Sequence, residues 1–162
     1  MGLAIAERHL AEEFNTENHA VIDHHTYVIC GDGCLQEGVS SEASSLAGHL
    51  GLGRLIVLYD DNEITIDGPT SLSFTEDVTK RYESYGWLCL MVEDVTGSLD
   101  ELRAAIKNAQ DVTDRPSIIR VRTSIGYGSP SKAGKASAHG APLGAEDLAA
   151  AKTFYGLPEN ES

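Results

Sequence analysis

The 162-residue sequence has few basic residues and no long apolar run. Twelve lysines and arginines stand against 25 aspartates and glutamates, so the formal net charge is −13. Because such a chain repels phosphate backbones and anionic lipid surfaces, this charge argues against binding to nucleic acid or to a membrane. No apolar stretch approaches the roughly 18–20 residues that a membrane-spanning helix needs.

Aromatic residues and cysteines are also scarce. Aromatics make up 6% of the chain, against 16 glycines, which favours tight turns and close backbone approaches over a large apolar pocket. The cysteines, Cys30, Cys34 and Cys89, are odd in number and spread along the chain. This pattern argues against a disulfide framework or a structural zinc site. We therefore expect buried or half-buried free thiols in a reducing compartment.

The first residues already follow helical spacing. Apolar residues recur at positions 3, 6, 10 and 14, yet nothing before Leu3 can serve as an N-cap. The apolar stretch is too short, and its acids come too early, for a signal peptide. We therefore expect a domain that this sequence enters partway through.

The rest of the chain alternates between two periodicities. Short apolar runs predict strands, and stripes with a helical repeat predict helices between them. The predicted strands are 26–30, 54–60, 87–92 and 116–122; the predicted helices are 35–50, 76–85, 98–110 (opened by a capping box of Ser98 and Glu101) and 144–155, with a loop at 124–144. The alternation predicts an α/β fold: a doubly wound, mainly parallel sheet with helices on both faces.

Polar residues follow the first two predicted strands, and in doubly wound sheets ligands bind beyond the carboxyl ends of the strands. Asp32 offers a carboxylate, Asn62 an amide oxygen, and a turn after Asn62 could aim a backbone carbonyl, that of Ile64, at the same point. Such a set leaves about three octahedral positions for phosphate oxygens and water, which suits a magnesium diphosphate. Gly33 lets its N–H approach a phosphate. The same residues also suit ordinary turns, and the spacing alone leaves both interpretations open.

Longer strings around these residues are similar to those of the transketolase family. Gly31-Asp32-Gly33 together with Asn62 resembles the thiamine diphosphate signature, and the whole segment 31–43 resembles transketolases in particular. Further similar segments are 60–68, 80–87, 125–129 and 139–143, and the resemblance extends from the first helix to about residue 156. The wider superfamily signature often has a second Asn where this sequence has Asp61.

The resemblance implies a role for each matching residue near the cofactor's charged end. Asp32, Asn62 and the carbonyl of Ile64 would hold Mg²⁺ or Ca²⁺. Gly33 and Asn62 would bind the diphosphate of thiamine diphosphate.

Further roles follow from the same resemblance. Ile66 and Ile125 would pack against the thiazolium ring. His139 would contact the diphosphate and face the sugar substrate, which makes it the expected catalytic residue. Glu37 and Glu42 would lie in carboxylate networks near a subunit interface.

The activity implied is transfer of a two-carbon ketol unit from a ketose phosphate to an aldose phosphate, with xylulose 5-phosphate and ribose 5-phosphate as the substrate type. This reaction belongs to the pentose phosphate pathway and the Calvin cycle. The full-length protein is expected to be a homodimer, located in the cytoplasm or, in a photosynthetic eukaryote, in a plastid. Residues 1–162 correspond to part of the N-terminal, diphosphate-binding domain, without the pyrimidine-binding and C-terminal domains. We therefore expect this chain to be inactive alone.

Three alternatives remain open at this point. A dihydroxyacetone synthase uses the same framework with formaldehyde as the acceptor. The chain could instead be a non-catalytic fragment, or one subunit of a split enzyme whose other domains lie on a second polypeptide.

The role of two lysines also stays open. Lys132 and Lys135 in the loop could meet a substrate phosphate or be ordinary solvated charges.

Overall fold

The computed structural model describes residues 1–158, which form six α-helices, six strands and two short 3₁₀ turns. In chain order the elements are α1 (Gly2–Phe14), β1 (Thr26–Gly31), α2 (Asp32–Gln36), α3 (Gly38–His49), β2 (Leu55–Asp61), β3 (Ile64–Thr65), β4 (Gly68–Pro69), α4 (Val78–Ser84), β5 (Leu88–Val92), α5 (Asp100–Asp111), β6 (Ser117–Arg122) and α6 (Ala145–Phe154). The 3₁₀ turns are Thr70–Leu72 and Ala136–Ala138.

The described residues divide into two units. The first comprises Met1–Asp61 and Glu76–Arg122, and the second comprises Asn62–Thr75 and the chain from Thr123 onward. The boundary after Asp61 falls at the end of β2, so the two halves of the predicted metal site belong to different units.

The first unit contains a four-stranded parallel sheet in the order β1-β2-β6-β5. This confirms the predicted parallel α/β architecture, and all four predicted strands are present. Strand β2 lies inside the sheet, and five of its seven residues are buried. The nearly continuous apolar run of this strand is typical of a strand covered on both faces.

Side chains of β2 alternate between two apolar layers. On one face, Ile56 and Ile119 are fully buried in a cluster that includes Ala109 of α5. On the other face, Val57 packs near the aromatic pair Tyr82 and Trp87, whose rings meet edge to face with centroids 5.0 Å apart. Burying each large side chain contributes about 1.5–3 kcal/mol, so the two layers hold helices against both faces of the sheet, as predicted.

The helix predicted over 35–50 is interrupted. It is divided at Glu37, whose backbone is extended (φ −71°, ψ 132°), into α2 and α3. The Arg81 guanidinium donates to the carbonyl of Leu35 at 3.0 Å, and the Ser40 hydroxyl donates to the carbonyl of Glu37 at 2.7 Å. In a continuous helix these two carbonyls would accept from backbone N–H groups of the next turn. At the break, side chains donate to them instead.

Within the first unit, helix α3 packs closely against Tyr85 at Gly48. A Cβ atom there would lie 1.9 Å from the carbonyl oxygen of Tyr85, so only glycine fits. Near this contact, the Trp87 indole N–H donates to the carbonyl of Ser44 at 2.9 Å. The small residues of this helix therefore allow its close approach to the segment that follows α4.

Two helix starts differ from the predictions. Helix α5 begins at Asp100 with Leu99 as its N-cap, and the Ser98 hydroxyl accepts from the Asp100 N–H at 3.1 Å. The predicted capping box of Ser98 and Glu101 is therefore wrong. Helix α4 begins at Val78, later than predicted, because the Asp77 carboxylate caps it by accepting from the Lys80 N–H at 3.2 Å.

The second unit consists of the β3–β4 hairpin, a long loop and α6. The loop predicted over 124–144 is confirmed, apart from its one 3₁₀ turn. Asp147, in the first turn of α6, accepts hydrogen bonds from the hydroxyls of Ser129 and Ser131 and thereby fixes the loop to the helix. These bonds lower the pKa of Asp147. Among residues 1–158, no helix is long and apolar enough to cross a bilayer.

Candidate functional site

In the first unit, the predicted metal ligand Asp32 lies directly beyond the carboxyl end of β1. It is the first residue of α2 and is only 3% exposed. Gly33, the next residue, is exposed. The carboxylate is therefore held inside the protein while the backbone beside it stays open to a ligand.

Tyr59 fixes the Asp32 side chain. The Tyr59 hydroxyl donates a hydrogen bond to Oδ1 of Asp32 at 2.6 Å, and both residues are buried. Burial raises the pKa of Tyr59, and the hydrogen bond to the Asp32 carboxylate and its charge raise it further. Tyr59 is thus a permanent hydroxyl donor at any physiological pH.

Asp61 ends β2 two residues after Tyr59 and is 2% exposed. Its Oδ2 accepts from Nε of Arg120 at 2.7 Å and from a terminal nitrogen of Arg122 at 3.1 Å. The parallel register places Tyr59 beside Arg120 and Asp61 beside Arg122, so all four side chains share one face of the sheet. Burial by itself lowers the pKa of Arg120, but the hydrogen bond and charge of Asp61 outweigh it and raise the pKa.

Two cysteines flank Asp32. The pKa of Cys30 is raised to about 12, chiefly by burial and additionally by the neighbouring Cys34 and Asp32. Cys30 and Cys89 are half-buried, as predicted, but Cys34 is exposed, so the prediction for that thiol is wrong. The reason is that the short helix α2 turns Cys34 outward while Leu35 packs into the core.

In the second unit, a tight turn brings Asn62 and Ile64 together. Oδ1 of Asn62 accepts from the Ile64 N–H at 2.9 Å. Glu63 between them has φ 60°, in the left-handed region, and is the only non-glycine residue with positive φ among residues 1–158. Such a conformation costs roughly 1–2 kcal/mol, and strained residues of this kind cluster at functional sites.

The hairpin register sets the direction of the Ile64 carbonyl. The Thr70 N–H donates to the Glu63 carbonyl at 2.9 Å, and Ile64 faces Pro69 as the next pair of the ladder. Because bonded and non-bonded pairs alternate in antiparallel strands, the N–H and C=O of Ile64 point away from β4. The Ile64 carbonyl therefore lies on the same side of the turn as the Asn62 side chain, which accepts from the Ile64 N–H.

The remaining predicted site residues also belong to the second unit. Ile66 is 72% exposed at the hairpin turn, whereas Ile125 is half-buried and accepts at its carbonyl from the Gly134 N–H at 2.8 Å. His139 is exposed and directly follows the 3₁₀ turn Ala136–Ala138. Both isoleucines thus present apolar surface, and His139 presents its imidazole to solvent.

The residues with open roles have local contacts. Glu37 is the N-cap of α3 and is exposed, as is Glu42. The ammonium of Lys132 donates to the Pro142 carbonyl at 2.5 Å, and that of Lys135 donates to the Ser131 carbonyl at 2.7 Å. Both lysines therefore tie the loop to itself, which is a structural use of their charges.

The donor chemistry of the predicted set fits a hard divalent cation. Asp32 supplies a carboxylate oxygen, Asn62 an amide oxygen and Ile64 an outward carbonyl, all ligand types of Mg²⁺ and Ca²⁺. Within the described part of the chain no cluster of three or more His, Cys, Asp or Glu residues could hold a metal. A cation held by the predicted residues would depend on oxygen donors of several kinds and on phosphate oxygens of a bound diphosphate.

Sequence reasoning missed Tyr59, Arg120 and Arg122. A signal was present, because Arg120 and Arg122 alternate with apolar residues in an otherwise buried strand. Their pairing with Tyr59 and Asp61 required the register of β2 against β6, which the sequence alone does not provide.

Comparison with known proteins shows which protein family this chain is similar to. The model of a family described as "Transketolase, thiamine diphosphate binding domain" matches residues 1–162. A transketolase of Nostoc is 56% identical over 156 residues, which is 96% of this chain and 23% of the relative. The chloroplastic transketolase of Zea mays is 52% identical over 158 residues, or 98% of this chain and 23% of the relative.

Solved structures agree with the sequence comparison. Transketolase from Leishmania mexicana superposes with a TM-score of 0.95 at 49% identity, covering 99% of this chain and 24% of that structure. Transketolase from Campylobacter jejuni gives 0.91 at 37% identity, with the same coverage. The chain therefore spans about a quarter of the length of the relatives that it matches.

Proposed function

Since the chain belongs to the transketolase family, as its thiamine diphosphate binding domain, we propose that it anchors the diphosphate of this cofactor through a divalent metal ion. Asp32, Asn62 and the carbonyl of Ile64 would hold Mg²⁺, with Ca²⁺ as a substitute. The observation that carries the proposal is the Asn62–Ile64 turn, where a strained backbone directs a carbonyl and an amide oxygen to the same side.

The metal would compensate for the acidity of the chain. A diphosphate meets a formal charge of −13 overall, and the proposed ligands include a carboxylate but no lysine or arginine. A divalent cation held by the carboxylate of Asp32 would offset this repulsion, and the backbone N–H of Gly33, an exposed residue, would add a donor for phosphate. Asn62 would contact the diphosphate as well.

The residues beyond the metal would orient the rest of the cofactor and the substrate. Ile66 and Ile125 would bind the thiazolium ring through apolar contact, and exposed Ile66 has the free surface for this role. His139 would contact the diphosphate and hold a hydroxyl of the sugar by donating or accepting a hydrogen bond at its imidazole. When bound, thiamine diphosphate supplies the carbon nucleophile that carries a two-carbon ketol unit.

For the full-length protein we propose transketolase activity, from a ketose phosphate to an aldose phosphate, in a homodimer. Pathway and compartment stay predictions; the relatives include a protein named chloroplastic in Zea mays and a bacterial one in Nostoc. The support is the identity of 52–56% to proteins named transketolase.

A coupled ketol-transfer assay tests this function. The full-length protein is given xylulose 5-phosphate and ribose 5-phosphate, with and without thiamine diphosphate and Mg²⁺, and we expect transfer only when both are present. A parallel reaction with formaldehyde as acceptor separates dihydroxyacetone synthase from transketolase. No cofactor-dependent transfer to either acceptor would leave the chain as a non-catalytic fragment or as one subunit of a split enzyme.

A further inference from the structure

Helix α2 carries two of the residues proposed to anchor the cofactor, Asp32 and Gly33, and is too short to hold its own position. It spans Asp32–Gln36, and isolated helices shorter than roughly 12–15 residues are marginal in water. The extended backbone at Glu37 separates it from α3, so the longer helix does not continue into it. The place of α2 therefore depends on its contacts with other elements, such as the packing of Leu35 into the core.

A further contact comes from Arg81 of α4. A terminal nitrogen of its guanidinium donates to the carbonyl of Leu35 at 3.0 Å, and Leu35 is the last residue but one of α2. Carbonyls in the last turn of a helix have no partner within the helix, so an outside donor is needed there. A charged donor makes a stronger hydrogen bond than a neutral one does. The carboxyl end of α2 is thus tied to α4.

Groups outside α2 hold this guanidinium in place. The nitrogen that meets Leu35 also lies 2.7 Å from Oε1 of Glu76, and the other terminal nitrogen donates to the hydroxyl of Ser41 on α3 at 2.5 Å. The central carbon of the guanidinium lies 5.6 Å from the centre of the Tyr82 ring. The Arg81 side chain is 16% exposed, so water competes little with these contacts. Arg81 is therefore fixed independently of α2.

The arrangement requires an arginine. A guanidinium presents donors on two terminal nitrogens in a rigid fork, whereas a lysine ammonium is a single charge on a flexible stem. Nε of Arg81 is buried and has no hydrogen-bond partner among residues 1–158, so the acceptors of the two terminal nitrogens set its orientation. A lysine at this position would reach only part of the set formed by Leu35, Ser41 and Glu76.

We propose that Arg81 is a positioning residue that holds α2, and with it Asp32 and Gly33, in the place where the cofactor binds. The inference rests on the proposed function, because it takes these two residues as contacts of the metal and the diphosphate. It goes beyond that function by assigning their placement to a side chain of α4. Because Arg81 acts through the backbone of α2, the inference does not depend on which atoms of Asp32 bind.

The test compares Arg81→Met with the unchanged full-length protein. Methionine keeps a long side chain but has no donor for the Leu35 carbonyl. Binding of thiamine diphosphate is measured by calorimetry at a saturating Mg²⁺ concentration. We expect the Kd to rise about tenfold, the lower end of the effect of residues that orient a metal ligand. Arg81→Lys should give a smaller rise, and it carries the test if Arg81→Met does not fold.

Hydrogen exchange of the cofactor-free protein tests the position of α2 directly. Arg81→Met should speed amide exchange in α2 by about tenfold, because local opening of this helix no longer breaks a hydrogen bond to a charged group. The amides of β2 and β6 should exchange at the unchanged rate. A substitution that merely destabilises the whole fold would speed exchange in these strands as well.

Arg54→Met is the matched control. Arg54 also forms ion pairs within the first unit, with Glu7 at 3.4 Å and with Asp23, but it precedes β2 and so lies at the opposite end of the sheet from α2. This variant makes the same substitution away from α2. It should leave both cofactor binding and amide exchange in α2 unchanged. Urea unfolding checks that each variant is folded at the temperature of the assay.

The outcomes separate the two proposals. If the unchanged protein shows no metal-dependent cofactor binding, the proposed function is wrong and the Arg81 inference falls with it. If it binds but Arg81→Met binds as well as Arg54→Met does, the inference alone is wrong. It is also wrong if Arg81→Met leaves exchange in α2 unchanged or speeds it equally in the sheet. Weaker binding together with faster exchange confined to α2 supports the inference.

Discussion

Asp32 and Asp61 are two equally buried carboxylates with different partners. Each is 3% exposed or less, and each lies at the carboxyl end of a neighbouring strand. Asp32 accepts a hydrogen bond from the neutral hydroxyl of Tyr59, whereas Asp61 accepts hydrogen bonds from the cationic side chains of Arg120 and Arg122. Burial alone therefore does not distinguish a proposed metal ligand from a structural acid.

The different partners of Asp32 and Asp61 indicate different roles for the two carboxylates. Two guanidinium groups neutralise Asp61, so its charge stabilises the junction of β2 and β6. A hydroxyl orients Asp32 but brings no positive charge with it, which suits a carboxylate that is to meet a cation. Asp61 and Asn62 are adjacent in the sequence but also differ in role: Asp61 is a structural acid, and Asn62 is a proposed ligand.

The largest expected effect is on cofactor binding. Asp32→Asn keeps the volume of the side chain but removes the charge that would hold the metal. Mg²⁺-dependent binding of thiamine diphosphate to the full-length protein should weaken by more than roughly 100-fold. That factor is the upper end of the effect of residues that only orient a metal ligand, and a ligand itself should matter more. Asp61→Asn should change it less than about threefold. Equal losses in a calorimetric titration of both variants would erase the distinction.

The second expected effect is on stability and runs the other way. Asp61→Asn leaves Arg120 and Arg122 side by side without their shared carboxylate, so the free energy of unfolding should fall by about 2–3 kcal/mol. The value lies below that of a fully buried pair because both arginines are about one-third exposed. Asp32→Asn should cost less, measured by urea unfolding without cofactor. A larger loss for Asp32→Asn would contradict the assignment.

The strands of the first unit could be predicted because their information is local. The apolar run of β2 and the alternation of strands with helices define a parallel sheet from the sequence alone. The break at Glu37 could not be predicted, because the apolar stripe continues across it. One of its stabilising bonds comes from Arg81, 46 residues beyond Leu35.

The site divides in the same way. Asn62 and Ile64 were predictable as oxygen donors because one short turn contains both, although the left-handed backbone of Glu63 was not foreseen. Tyr59 and Arg120 act across strands, and the sequence carries no register for β2 against β6. Candidate ligands can thus be found from a motif, while the residues that contact them from other strands need the fold.

The smallest expected effect concerns the thiol beside Asp32. The pKa of Cys30 is raised to about 12 by burial, by Cys34 and by the charge of Asp32, so at pH 8 almost all of this thiol is protonated and unreactive. Removing the Asp32 charge lowers that pKa, and the thiolate fraction at pH 8 therefore rises. Labelling of Cys30 by a maleimide in Asp32→Asn should be faster by less than about tenfold, since burial remains the main cause.

Asp61 is the matched comparison for this measurement, because its charge is not among the causes that raise the pKa of Cys30. Asp61→Asn should therefore leave the labelling rate unchanged, provided that the rates are taken in cofactor-free protein below its unfolding transition. Mass spectrometry separates Cys30 from the exposed Cys34, which should react first in every variant. Labelling of Cys30 that is equally fast or faster in Asp61→Asn would contradict the conclusion that Asp32, and not Asp61, acts on this thiol.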